Sequence, residues 1–314
     1  VSSVTTSTGR VPGIDAASEA PRTLAESMQD HGVLARVALL AGAIVFLFWN
    51  WFRSQHEHSW GNGDWSHAYM VPLISAYLLW QARQEFDAAR KSVFWPGLVP
   101  VLMGVWCHVF FTVGIPNHLG QGLSLILTVF GVALLLLGPA AMRSLFLPIG
   151  YLFFAITLPQ QVMIRITFPL QQIAAEGAWV LLRMLGVQAD LVGNTIHVLN
   201  TKTLVTTPLD VAQACSGMRM LIAFIALGTA VGLVASRMWW KRVALIALGV
   251  PVALGLNMIR VAVLGILSLW DADLSQGEAH TFIGTVLLVP GFFIYMGVVW
   301  ALNRAVPERQ GAAA

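Results

Sequence analysis

Cys215 stands where a polar, strand-like stretch gives way to a strongly apolar one, in Pro208-Leu-Asp-Val-Ala-Gln-Ala-Cys-Ser-Gly-Met-Arg-Met-Leu221. A thiol at a helix start feels the positive end of the helix dipole, which favours the thiolate. Arg219 follows four residues on, on the same helical face, and adds positive charge. Ser216 completes the junction, and Gly217 permits close backbone approach in the first turn. Two further chemically capable residues lie in later apolar runs. Arg260 has Asn257 three residues before it on the same face, and His280 opens the last run. Thiolate, guanidinium and imidazole together suit acyl transfer. The thiolate attacks a carbonyl, the guanidinium steadies the oxyanion, and the imidazole gives a proton to the leaving amine and later takes one from an acceptor.

The composition says what must hold these residues. Of 314 residues, 57% are hydrophobic and 11% charged, against about 25% charged in ordinary globular chains. The expected fold class is an all-α integral membrane protein with about eight transmembrane helices. Apolar runs at 33–52, 67–81, 93–113, 121–137, 145–158, 216–235, 243–270 and 280–302 supply the spans. Residues 1–32 and 303–314 read as polar cytoplasmic tails, the first of them disordered. The region 159–213 differs. Residues 159–185 interleave Gln, Arg and Glu with apolar residues and suit the membrane interface or a partial dip into it. Thr195–Leu199 and Thr203–Thr207 are rich in β-branched residues and read as a small β-hairpin on the outer face.

Charge orients the chain. Arg22, Arg36, Arg83, Arg90, Lys91, Arg143, Arg237, Lys241, Arg242, Arg304 and Arg309 all fall on one side if both termini are cytoplasmic. Arg53, Arg165, Arg183 and Lys202 are exceptions. This topology puts Cys215 and His280 at the outer ends of their spans. Arg260 lies 17 positions beyond Val243, roughly 25 Å along a helix. All three therefore share one level in the outer part of the membrane.

Several blocks resemble the exosortase/archaeosortase family of integral-membrane cysteine transpeptidases. They are Ala214-Cys-Ser-Gly-Met-Arg-Met-Leu221, Asn257-Met-Ile-Arg260 and His280-Thr-Phe-Ile-Gly284. The stretch Asp64-Trp-Ser-His-Ala-Tyr-Met-Val-Pro-Leu-Ile-Ser75 is similar to the family's N-terminal block, with Ala68 where Gly is usual. Leu185-Gly-Val187 through Gly193-Asn-Thr-Ile-His197 is similar to the segment before its cysteine. The resemblance implies a Cys215–Arg260–His280 site. Its substrates would be exported proteins ending in a Pro-Glu-Pro-like motif, a transmembrane helix and a basic cluster. The product would be joined to an acceptor on the periplasmic side of a bacterial inner membrane.

Other readings remain open on residues alone. Arg260 could bind an anionic solute or headgroup in a transporter or flippase. His56, His58, Asp64 and His67 are metal-ligand types without a metal-site spacing, so no metal or cofactor is expected; Asp64 and His67 fit better as supports of the site. A Cys107–Cys215 disulfide would consume the nucleophile, whereas Cys107 alone reads as a small apolar packing residue. The net charge of +3 is small and spread over short loops, so the partners are membrane lipid and exported proteins rather than nucleic acid. A reporter active only in the cytoplasm should function when fused after Arg304 and stay silent when inserted near Asn200. The reverse pattern would overturn the topology.

Overall fold

The computed structural model describes residues 30–60, 65–201, 203–210, 218–236, 238–271, 282 and 286–306, without the side chains of residues 66, 210, 218–220 and 288. Most of both expected tails lies outside the described residues, as do Asp64, Cys215, Ser216, Gly217 and His280. The chain is mainly helical, with one small sheet near the middle of the sequence.

Helix α1 (His31–Leu47) is capped by Asp30, whose carboxylate accepts from the Gly32 N–H at 2.8 Å. It breaks at Phe48, and α2 (Trp49–Ser59) continues at 72° to it. The expected run 33–52 is therefore not one straight span. Phe48 is fully buried with its ring 4.1 Å from that of His108. The polar residues of α2 from Arg53 to Ser59 also leave little reason to continue through an apolar layer. A 3₁₀ turn (Ser66–Tyr69) leads into α3 (Met70–Gln81), followed by the short α4 (Arg83–Ala88). Helix α5 (Leu98–Val109) ends in a π-helical turn, Phe110–Gly114.

Helix α6 (His118–Tyr151) is nominally 34 residues long, but its backbone leaves helical geometry at Gly138 (φ 80°, ψ 173°), just before Pro139. Were it continuous, Phe130 and Phe146 would stand about 24 Å apart. Their rings are 6.4 Å apart. Gly122 packs beside Ile156, and Gln55 Oε1 accepts from Thr157 N–H at 3.3 Å while lying 2.8 Å from His118 Nε2. The chain folds back at Gly138, so 118–137 and 139–151 are antiparallel legs. These are the expected fourth and fifth runs. Helix α5 lies against the first leg with backbones nearly touching at Gly104 and Gly131. Small residues permit such approaches where lipid gives helices no hydrophobic reason to associate.

By length and composition, three described helical stretches can cross a membrane: Trp95–Gly114, His118–Ala155 and Trp239–Leu267. The bent pair α1–α2 makes a possible fourth. This is fewer than the eight expected. One reason is that His118–Ala155 is a single stretch by sequence but two legs in space. Another is that α3, with 12 residues, reaches only about 18 Å against a core of about 30 Å.

Helix α7 (Gln160–Met184) follows Pro159. It leads to strands β1 (Ala189–Val192), β2 (Thr195–Asn200) and β3 (Val205–Asp210), an antiparallel sheet of order β1-β2-β3. Thr195 pairs with Val192 on one side and Asp210 on the other. The expected hairpin is β2–β3, and the structure corrects it by adding β1. Gly193 at φ 61° makes the β1–β2 turn. Pro208 sits on β3, an edge strand, opposite His197, where a missing N–H is tolerated. The chain ends in α8 (Met218–Ala235), α9 (Trp239–Leu267) and α10 (Leu288–Ala305).

The bundle has two distinct ends. At one, the second leg of α6, the α3–α4 junction and the α8–α9 connection meet around a common cavity. At the other, the sheet docks on α7 and α9. Gly138 is the pivot of the first end. A Cβ there would lie 2.8 Å from the Ser92 carbonyl oxygen, and its φ/ψ belongs essentially to glycine alone. Gly138→Ala should therefore cost about 1–3 kcal/mol in thermal or denaturant unfolding. Gly150→Ala, with nothing within 4 Å, should be nearly neutral. Equal effects of the two would contradict the fold-back.

Candidate active site

Helix α9 carries two residues of the expected site, Asn257 and Arg260. Asn257 is 1% exposed and Arg260 4%. Three residues apart, they share one helical face. Burying a guanidinium is costly unless the surroundings compensate it, and a side chain this enclosed is not snorkelling to the headgroups. Asn257 Oδ1 is buried and has no hydrogen-bond partner among the described residues. An orphaned buried acceptor costs about 1–3 kcal/mol, and such groups call for an explanation such as a ligand or a catalytic role.

The packing around this turn is set by glycines. Helix α8 runs antiparallel to α9 with backbones in contact. A Cβ at Gly249 would meet the Phe224 carbonyl oxygen at 3.0 Å, one at Gly228 the Ile246 Cα at 3.3 Å, and one at Gly232 the Arg242 carbonyl oxygen at 3.3 Å. On another side, Met258 occupies the space left by Gly177 of α7. Helix α7 thus packs directly against α9. Helix α10 is also antiparallel to α9. Gly291 lies under Leu256, and Lys241 Nζ donates to the Val306 carbonyl at 2.9 Å. That register brings the start of α10 level with the Asn257–Arg260 turn.

The sheet completes the frame. Ile196, Val198 and Leu209 form one apolar cluster with Ala174, Ala178 and Leu182 of α7 and with Val261 and Leu264 of α9. Leu209 comes within 3.3 Å of a Cβ position on Gly265. Asn200 Nδ2 donates to the Leu269 carbonyl at 2.7 Å, tying the β2–β3 turn to the end of α9. Strand β3 therefore ends beside Gly265. Phe224 is opposite Gly249, so Met218, six residues earlier, is level with Gly255. The stretch 211–217 joins two points that flank Asn257 and Arg260.

Of the other expected residues, Arg219 belongs to the first turn of α8. His67 lies in the 3₁₀ turn before α3, with its ring 5.8 Å from that of Trp65. Trp65, Phe154, Met163, Leu221 and Ile222 line an apolar cavity of about 140 Å³ against the start of α8. His56 and His58 are engaged locally. His56 Nδ1 is 2.8 Å from the Tyr69 hydroxyl, and His58 Nδ1 is 2.7 Å from the Ser54 carbonyl. Cys107 is a free, half-buried thiol in α5. Two polar features escaped the sequence reading. The first is Gln55, which ties α2 to both ends of the α6 fold-back through His118 and Thr157. The second is a cavity of about 510 Å³ lined by Arg183, Asp190, His197 and Thr206. A glutamine in a polar helix carries no sequence signal, and the cavity needs strand β1.

A family model described as transmembrane exosortase matches residues 60–297, three quarters of the chain. No curated protein and no solved structure matches it. Gly265 is the contact on which the frame can be tested. Gly265→Val would push on Leu182 and Leu209 together, so limited trypsin cleavage at Lys202 should accelerate several-fold. Gly255→Val, with open space around it, should leave the rate unchanged. Equal rates in the two variants would separate the sheet from α9.

Proposed function

Because the chain belongs to the transmembrane exosortase family, we propose that it cleaves the C-terminal sorting signal of exported proteins through a cysteine thioester and transfers them to an acceptor outside the cytoplasmic membrane. The observation that carries this reading is the buried Asn257–Arg260 turn, flanked by the described ends of the stretch that holds Cys215. The matched region includes the blocks around Cys215, Arg260 and His280.

In this mechanism the Cys215 thiolate attacks the scissile carbonyl carbon. The Arg260 guanidinium stabilises the oxyanion in a site screened from water, where such a charge acts most strongly. The tetrahedral intermediate collapses, the C–N bond breaks, and His280 protonates the departing amine, leaving a thioester on Cys215. His280 then takes a proton from the acceptor nucleophile, which attacks the thioester and releases the thiolate. Asn257, with its open acceptor, orients the guanidinium or the substrate backbone. Arg219, Ser216 and Gly217 shape the helix start around the thiolate, and Asp64 and His67 support the site from the N-terminal block. The acyl group enters from the periplasm, and the distribution of Lys and Arg supports both termini in the cytoplasm.

The test is processing of a substrate carrying a motif–helix–basic tail. Cys215→Ala and Cys215→Ser should abolish it, and Cys107→Ala should process normally. Arg260→Lys keeps the charge but loses the planar fork, and activity should fall at least 100-fold, the scale of removing one oxyanion donor. Full processing by Cys215→Ala would end the thiol mechanism and return Arg260 to anion binding.

A further inference from the structure

The end of the bundle opposite the sheet holds a cavity of about 310 Å³ that the transfer reaction does not use. Its polar wall comes from three parts of the chain: Gln81 and Glu85 around the α3–α4 junction, Arg143 just after the Gly138 turn, and Arg242 at the start of α9. Its other wall is apolar, formed by Leu78, Leu147 and Leu233. Two guanidiniums thus share a pocket with one carboxylate, and neither Arg143 nor Glu85 is in an ion pair among the described residues. Arg242 is held in place by its Nε–H, which donates to the Ser236 carbonyl at 2.8 Å.

The depth of the cavity is marked independently. Trp80, Trp239 and Trp240 are exposed at this same end, the first two by 60% and 76%. Exposed tryptophans collect at the level of lipid headgroups. Arg83 stacks on Trp80 at 4.4 Å, and Arg90 and Lys91 follow shortly after. Basic pockets between helices on the cytoplasmic side bind anionic headgroups. A water-borne phosphate would use the arginines but leave the leucine wall unoccupied.

We propose that this cavity binds an anionic phospholipid, its phosphate between Arg143 and Arg242 and its acyl chains leaving along Leu78, Leu147 and Leu233. The site is formed by the second leg of α6 and by the α3–α4 and α8–α9 junctions, so a bound lipid clamps three parts of the chain at once.

Native mass spectrometry and thermal melting of the full-length protein in detergent test this. Phosphatidylglycerol should be retained and should raise the melting temperature more than phosphatidylcholine does. Arg143→Gln and Arg242→Gln should each lower phosphatidylglycerol occupancy about fivefold, the scale of one basic residue at an anionic surface. Arg183→Gln, at the opposite end, should bind as the wild type does. Arg143 is exposed, so its variant tests the site even if Arg242→Gln fails to fold. Equal retention of the two lipids, or undiminished phosphatidylglycerol binding in Arg143→Gln, would overturn the proposal. Protection by sn-glycerol 3-phosphate equal to that by phosphatidylglycerol would overturn the lipid assignment.

Discussion

Backbone contact between α8 and α9 is the constraint on which the site depends. Gly228, Gly232 and Gly249 let the two helices approach until main-chain atoms touch. In lipid no hydrophobic effect draws helices together, so close van der Waals packing of small residues does that work. The contact fixes the antiparallel register. It also sets the level at which α8 begins against α9, and therefore the span that residues 211–217 must bridge. Larger residues at these glycines would separate the helices and shift that level.

A second constraint follows from burial. Arg260 and Asn257 are almost fully enclosed, which no membrane protein maintains without compensation. The enclosure is built from both sides by small residues. Ala174, Ala178 and Gly177 on α7 allow that helix against α9, and Gly291 allows α10 against Leu256. Tyr295, fully buried, donates its hydroxyl hydrogen to the Leu245 carbonyl at 3.0 Å and pins the lower half of the same contact. Asn257 and Arg260 thus form a buried polar turn in α9, and the α8–α9–α10 packing next to it is apolar and tight.

Much of this was legible in the sequence because lipid simplifies the code. Apolar runs marked most of the helices, and Asn257 with Arg260 stood out as polar residues inside one of them. The 121–137 and 145–158 runs were readable as separate stretches because Gly138-Pro139 and Arg143 interrupt the pattern, and the structure places them in two legs. The break at Phe48 was not readable, since phenylalanine belongs equally well inside a helix. Strand β1 was missed because Ala-Asp-Leu-Val is too short to show alternation, and its pairing comes from β2. The packing of α7 was not readable because its polar residues suit an interface and its small residues suit a packed helix; the structure shows the small residues against α9. The network of Gln55, His118 and Thr157 joins residues about sixty and a hundred positions apart, a relation that no local pattern contains.

The sheet has consequences for neighbouring molecules. Among the described residues it has three strands, so β1 and β3 are its edges. An open edge is a template on which a second copy can add a strand, and membrane proteins share a thin layer that keeps their extramembrane parts at similar heights. Pro208 removes one N–H from the row that β3 offers, and β1 is only four residues long. Short and interrupted edges discourage sheet-to-sheet growth between copies.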